Sequence, residues 1–536
     1  MQQRKYFELF ASVGRKSSPD KYFPYTVESL LQDMKDARIH GAACLSNTAE
    51  DYSFIFGNRE AISIADSQPR LVSIAAVPTT AILESGDPAY YDRLLDEGVR
   101  AFAALPKALH CSLHPKSMKP VAEALMARRR PLIVVGTDTE SRYEQVTRLA
   151  EEYPDLPIIM QGTHWASGRF FWEAMERCEN LHFEISSNQI NGVLKTVREH
   201  FGAERALYSS AWPKKSMGAM KSMIEYADLS ESDKDLIAHG NACRLLGLSI
   251  DDFPLYDDAD CAFDEIAGEA DAGRPISVPV IDAHTHMVAP EDKTMSGFMM
   301  LDADCDAMVR TMDRLGVQTA ITAPFSGLTI DGRKGNEETL YAAKKHPGRF
   351  LGYSTCNVRY EDERQAWKHF HEEHPDVFVG IKPYWVFQKY QLTSELCKEW
   401  FDYANEHRLL LLVHCDGSDA IFNQVEQLSL DYPDITFVLA HSGMSYAVAK
   451  KSAALANSRE NVVLEITFTS VARGMIEFLV EQVGADKVLY GSDFPMRDPA
   501  PQLGWVCYAK IPVEDKKKIL AGNIERLMSK RREGCG

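Results

Sequence analysis

The chain has no Cys-x-x-Cys pair, and its eleven cysteines are an odd number. That argues against a disulfide framework and against a thiolate zinc site; free thiols in a reducing cytoplasm are the expectation. No uninterrupted apolar run approaches the ~18 residues of a membrane-crossing helix. The start, Met1-Gln2-Gln3-Arg4-Lys5-Tyr6, carries no apolar signal region, so no membrane partner is expected. Basic charge is also short, with 59 Lys and Arg against 77 Asp and Glu and a net charge of −18. A nucleic-acid partner is therefore not expected. A small anionic substrate stays open, because a local site can be positive on an acidic protein. What remains is an ordinary globular composition, 45% hydrophobic and 25% charged.

The chain is written twice. Ile281-Asp282-Ala283-His284-Thr285-His286 opens one copy, and Tyr490-Gly491-Ser492-Asp493-Phe494-Pro495 followed by Gly522-Asn523 closes it. Phe7-Glu8-Leu9-Phe10-Ala11-Ser12 and Tyr208-Ser209-Ser210-Ala211-Trp212-Pro213, with Gly240-Asn241, frame the other. Between them Gly57-Asn58 matches Gly335-Asn336, Tyr153-Pro154-Asp155 matches Tyr432-Pro433-Asp434, and Glu179-Asn180 with Glu184-Ile185 matches Glu460-Asn461 with Glu465-Ile466. The offset drifts by only a few residues over a whole copy, a register chance does not hold.

Short continuous apolar runs, such as Leu409 to Val413 and Ile435 to Ala440, indicate parallel strands covered on both faces. Amphipathic stretches between them complete a βα alternation. At 536 residues the expectation is an α/β protein of two tandem (β/α)8 barrels of about 250 residues each. The expected boundaries are 1–248 and 277–530. An acidic connector over 249–276 carries Asp251, Asp252, Asp257, Asp258, Asp260 and Asp264.

Only the second copy keeps polar residues of ligand type at its strand ends. His284 and His286 sit two apart on one strand and so share a face. Lys382, His414, His441 and Asp493 each end a separate apolar run. In a barrel those ends converge on one catalytic face. By contrast His369 and His371 lie in a charged, helix-like stretch where the same spacing diverges, and read as a solvated helix. In the first copy Phe10, Ser12, Ala103, Gly136, Gly162 and Ala211 align with the six and cannot hold a divalent cation. His110, His114 and His164 read as structural there.

The wording His284-x-His286, Gly380-x-Lys382, His414, His441-Ser-Gly443, Gly491-Ser-Asp493-x-Pro495 and Asn523-x-x-Arg526-Leu527 resembles the amidohydrolase superfamily. It is nearest the amidohydrolase-2 branch, whose hydrolases, lactonases and decarboxylases are related to aminocarboxymuconate semialdehyde decarboxylase. The resemblance covers residues 277–530; the first copy shares the frame alone. It implies a divalent ion, most often zinc, held by His284, His286, His414 and Asp493. Asp493 would then be the general base and His441 would orient substrate or stabilise an oxyanion. A carboxylated Lys382 could bridge a second metal with His441; unmodified, it would meet a substrate carboxylate. Tyr384 and Trp385 could wall the pocket. Arg497 and Arg359 are pocket cations or surface ion pairs.

The expected activity is metal-dependent hydrolysis of a small lactone, cyclic amide or related carboxylate by metal-activated water. A nonoxidative decarboxylase on the same cage is the alternative, and a scaffold protein a third reading. The first barrel is expected to be an inert partner, making a pseudo-dimer in cis or supporting a homo-oligomer.

Overall fold

The computed structural model describes residues 4–256 and 263–533. The chain divides after Phe263 into two compact units. Each unit is an eight-stranded parallel sheet with strands in sequence order, and each strand is followed by helix, after Ile281–Thr285 by way of a two-stranded hairpin, Thr294–Met295 with Phe298–Met299. Both are TIM-type (β/α)8 barrels. The first is built on Phe7–Val13, Gly41–Ser46, Leu71–Ala76, Ala101–Ala104, Leu132–Val135, Ile158–Gln161, Leu181–Glu184 and Ala206–Leu207. The second uses Ile281–Thr285, Thr319–Thr322, Phe350–Ser354, Phe378–Ile381, Leu410–Val413, Thr436–Leu439, Val462–Glu465 and Val488–Leu489. A parallel bridge closes each ring at the same place, Ala11 to Trp212 and Thr285 to Phe494. The continuous apolar runs are these strands: Leu410–Val413 and Thr436–Leu439 are buried throughout, as strands with helices outside and side chains inside must be.

The repeated Asn residues are clasps rather than chemistry. Asn58 brackets Ala76, donating to its carbonyl and accepting from its N–H, at 2.9 and 2.8 Å. Asn336 does the same to Thr355, at 3.0 and 2.8 Å. Asn180 donates to the carbonyls of Ala150, Tyr153 and Leu156, and Asn461 to those of Ser429, Tyr432 and Ile435. Each satisfies backbone groups that would otherwise be buried unpaired. The glycines beside them let helices close up: a Cβ on Gly57 would lie 2.2 Å from Ala49 N, and one on Gly335 2.5 Å from Gly327 Cα.

The segment 249–276, expected as an acidic connector, is shared between the units rather than standing apart from them. Phe253 is buried against Phe7, ring centroids 5.4 Å apart. Helix Glu265–Asp271 buries Ile266, Ala267 and Ala270 in the second unit, where Lys516 pairs with Asp264. Sequence periodicity over so short a helix is weak, and its acidic surface masked it. Asp257, Asp258 and Asp260 lie outside the described residues. No helix among the described residues is long and apolar enough to cross a membrane. All nine cysteines among the described residues are free thiols.

Candidate metal centre

Hydrogen bonds shared by the two barrels fix which residues correspond. Phe10 N and His284 N each donate to the carboxylate two residues back, Glu8 and Asp282. Ser12 N donates to Trp212 O and His286 N to Phe494 O. Ser210 N meets Glu8 as Ser492 N meets Asp282, which sets Ala211 against Asp493. Gly162 N and His441 N both donate to a buried glutamate, Glu184 and Glu465. One correspondence differs from the sequence reading. Arg129 and Arg408 are both left-handed, and the N–H groups after them cap the preceding helices alike. Counting along both strands from there sets Val135, not Gly136, against His414. Neither residue can bind a metal.

In the second barrel the first and last strands bring three groups together. The Nε2 of His286 lies 2.9 Å from Asp493 Oδ1, and that of His284 3.5 Å from the same oxygen. Among the described residues this trio is one of three groupings whose potential donor atoms all lie within 4.8 Å of one another. His284, His441 and Glu465 form a second, sharing His284; Cys305, Asp306 and His346 lie elsewhere.

The partners of the Nδ1 atoms decide what the histidines can do. His286 Nδ1 is 2.8 Å from Ala323 O, and His441 Nδ1 is 3.0 Å from Thr467 O. A carbonyl only accepts, so both Nδ1 atoms carry the proton and both Nε2 atoms carry a lone pair. His441 Nε2 is 3.2 Å from His414 Nδ1. Since His441 accepts there, His414 Nδ1 donates, and its own Nε2 is left as a lone pair. His284 Nδ1 donates to Glu465 Oε2 at 2.9 Å. Glu465 is itself an acceptor on every side, from His441 N, Thr467 N and the Thr467 hydroxyl. Four imidazoles are thus held with Nε2 unprotonated; that of His441 is engaged by His414 Nδ1, and those of His284, His286 and His414 are in the form in which histidine ligates a metal.

Electrostatics agree. Burial pushes the His441 pKa down to about 3 and holds His284 and His414 well below the ordinary imidazole value, so these rings are neutral. Burial alone would raise the Asp493 pKa, but the Arg497 guanidinium beside it overcomes this and holds the carboxyl well below the usual range. Arg497 Nη2 donates to Asp493 Oδ2 at 2.8 Å. This arginine is buried, so its ion pair belongs to the site and not to the surface. The Lys382 Nζ lies 3.3 Å from His284 Nε2, and burial lowers its pKa to about 8.

Two of these residues have backbone that L-amino acids rarely adopt: φ is +65° at His441 and +59° at Asp493. Such strain, of order 1–3 kcal/mol each, concentrates where a side chain must be aimed. Gly491 leaves room for the assembly, because a Cβ there would fall 2.5 Å from Glu465 Oε1 and 2.9 Å from His284 Cβ.

Five of the expected site residues, His284, His286, Asp493, Arg497 and Lys382, therefore meet at one place. His414 stands beside it, against His441 and outside the compact trio. Tyr384 packs edge-on to the His414 ring at 5.5 Å, and Trp385 Nε1 donates to His414 O at 3.1 Å, so both wall that side. Arg359 is exposed and reaches Gln388 O instead. His369 is exposed on its helix, but His371 is buried, its Nε2 2.7 Å from Ser354 Oγ; neither joins the site. The charged helix hid an inward face.

Two segments, residues 71–248 and 281–529, match the amidohydrolase family model. The chain belongs to the amidohydrolase family. None of the curated proteins compared matches it. Among solved structures, the chain is similar to a dihydroxybenzoic acid decarboxylase from Polaromonas sp. JS666 with bound manganese and 2-nitroresorcinol. Identity is 16%, over 48% of this chain and 99% of that one, with a TM-score of 0.39. A 5-carboxyvanillate decarboxylase from Novosphingobium aromaticivorans, complexed with manganese and 4-hydroxy-3-methoxy-5-nitrobenzoic acid, gives 17%, 47%, 96% and 0.39. A 2,6-dihydroxybenzoate decarboxylase from Rhizobium gives 15%, 47%, 99% and 0.37. At these identities the likeness is one of fold.

Glu465 was not singled out for chemistry in the sequence, where it served only as a repeat marker. Glu465→Gln in this amidohydrolase places an amide N–H2 or a weaker acceptor against His284 Nδ1–H. Loss of such a partner typically costs 10–100-fold in metal affinity, and that is the expected loss in a chelator-competition titration. Glu184→Gln in the first barrel, where no imidazole is attached, is expected to leave metal affinity unchanged. Equal affinity in the Glu465 variant and wild type would make that carboxylate a backbone tie alone.

Proposed function

We propose that this amidohydrolase is a metal-dependent hydrolase of a small organic acid derivative, a lactone, cyclic amide or related carboxylate. The observation that carries the reading is the convergence of the His284 and His286 Nε2 lone pairs on the ionised carboxylate of Asp493, with His414 Nε2 left as a further lone pair beside them. These residues would hold one divalent ion. Nitrogen and carboxylate donors suit zinc, and equally manganese. Bound there, such an ion supplies Lewis acidity and an activated water.

The chain's own groups do the rest. Asp493 accepts the proton released as the nucleophile forms and returns it to the leaving group. Arg497 and Lys382 offer positive charge for a substrate carboxylate. Tyr384 and Trp385 confine the substrate beside His414, and His441 holds that ring in its orientation. Carboxylation of Lys382 would instead create a bridging ligand for a second ion with His441.

A second reading, nonoxidative decarboxylation, is favoured by one specific observation. Two buried cations lie at the site, Arg497 on Asp493 and Lys382 beside His284, which suits a substrate whose own carboxylate is the reacting group. The metal-loaded full chain should be tested against lactones, cyclic amides and hydroxybenzoates in ¹⁸O-water. Product gaining ¹⁸O without carbon dioxide supports hydrolysis. Carbon dioxide release without ¹⁸O gain in the ring product selects the second reading. Turnover that persists at full rate after metal removal defeats both.

A further inference from the structure

We propose that the amino-end face of the second barrel, opposite the metal centre, holds a site for a small phosphate-bearing anion. A cavity of about 620 Å³ opens there, within the ~300–1,000 Å³ of small-molecule sites. Its lining comes from the segments that lead into the last four strands and from the closing helix Asn523–Glu533. That end of a barrel ordinarily serves stability, so the cavity is no part of the catalytic pocket.

Four cations line it, Arg408, Lys487, Arg526 and Lys530, against three carboxylates, Asp434, Glu460 and Asp486. The chain as a whole runs the other way, with 59 basic against 77 acidic residues. Two of the carboxylates are already engaged. Asp434 lies 3.7 Å from Arg408, and Asp486 lies 3.3 Å from Lys518, which stands outside the lining. Arg526 Nη2 donates to the Asp486 carbonyl at 2.8 Å, and Lys487 donates to the carbonyls of Ala456 and Arg459. Those bonds place the two cations without neutralising them. Lys530 is exposed and has no ion-pair or hydrogen-bond partner among the described residues. Guanidinium and ammonium groups around one open space suit the oxygens of a phosphate. Pro433, Val463 and Leu527 give an attached organic group an apolar wall.

The first barrel shows the same place filled. Val463 stands two residues before Glu465, as His182 stands two before Glu184. His182 is buried, its Nδ1 3.1 Å from Glu204 O. Burial, with Arg205 and Arg244 beside it, pushes its pKa down to about 3. Arg205 directly precedes the last strand as Lys487 does, and Arg244 follows Asn241 as Arg526 follows Asn523. An imidazole thus sits beside the two cations where the second barrel has only a valine. The closing helices differ as well. Asn523–Glu533 has 11 residues where Asn241–Leu246 has 6, and Lys530 lies on the added length. The second barrel has lost a filler and gained a cation at one place, and the first barrel closes without either change.

The test is isothermal titration calorimetry of the full chain with inorganic phosphate and with phenyl phosphate. Ionic strength is held constant and metal is removed by chelation, so that no ion on the opposite face competes for the anion. One phosphate site per chain is the expected result. Lys530→Ala is expected to weaken it about tenfold or more, the scale of one charge-assisted hydrogen bond, with Tm unchanged because the ammonium bonds to no described protein group. Val463→His, which restores the first barrel's filler, is expected to abolish binding, with a melting curve to show that the protein is folded. Tighter binding of phenyl phosphate than of inorganic phosphate makes the ligand a phosphate ester, and equal or weaker binding makes it free phosphate; either supports the site. No heat with either anion, or an affinity that Lys530→Ala leaves unchanged, overturns the proposal. So does a folded Val463→His protein that binds as wild type does.

Discussion

Replacing His284 and His286 together by alanine is expected to strip the bound divalent ion from the full-length protein. Elemental analysis should fall from about one equivalent per chain to near background, since a site of this class rests on three or four protein donors. The expectation follows from hydrogen placement. Ala323 O holds His286 and Glu465 holds His284 with their Nε2 lone pairs on the side of Asp493. Removing both leaves Asp493 and the displaced His414, a pair too sparse to hold an ion. The loss should not come from unfolding, because the strand-closing bond from residue 286 to Phe494 O is made by backbone, and a melting curve checks this. Full metal content in the double variant would refute the assignment. Metal that survives in the first barrel would show that Phe10 and Ala211 conceal a site.

The fold was legible because duplication and βα alternation are long-range signals, and because each barrel strand is a continuous apolar run. Asn58 and Asn180, with their counterparts Asn336 and Asn461, were visible as repeat markers. Their work as clasps became visible only once helices and strands lay side by side. Six strand-end residues could be named because a barrel gathers such ends on one face. What strand ends could not reveal was distance. His414 shares the face but leans on His441, and Glu465 reaches His284 across the barrel interior, from the seventh strand to the first. Arg497 reads in sequence as a pocket cation or a surface ion pair, because a position in the loop after the last strand fits either. Burial decides between them. Gly136 looked like the partner of His414 because each follows an apolar run, and only the helix ends at Arg129 and Arg408 set the true register.

The first barrel shows which features belong to the fold. Glu8 still ties Ser209 and Ser210, and Glu184 still ties Gly162 and Ser186. The carboxylates that brace the second barrel's site therefore brace the strand ends first, and the histidine contact is an addition. Strain follows function only in part. The left-handed turn at His441 has become glycine at 162, where the conformation is free of cost. The turn at Asp493 persists at Ala211, with φ of +51°, so there the chain path and not the carboxylate holds the conformation.

That persistence makes Asp493→Asn a clean probe. Asparagine tolerates the left-handed region, and the Ser492 bond to Asp282 that fixes the turn is untouched. The amide can still offer an oxygen toward the histidines, so part of the metal affinity is expected to remain. Proton acceptance is lost outright, because a neutral amide cannot take up the proton that the ionised carboxylate accepts. Arg497 also loses its charged partner at 2.8 Å, leaving a buried guanidinium against an amide, which adds a stability cost of about 3–5 kcal/mol if no anion compensates. The expected outcome is a fall in kcat of roughly 10² or more at saturating metal, with a lower Tm that an anionic substrate analogue partly restores. Measuring kcat at matched metal occupancy separates the two losses. A variant with full occupancy and the wild-type rate would remove Asp493 from proton transfer and leave it a metal ligand alone.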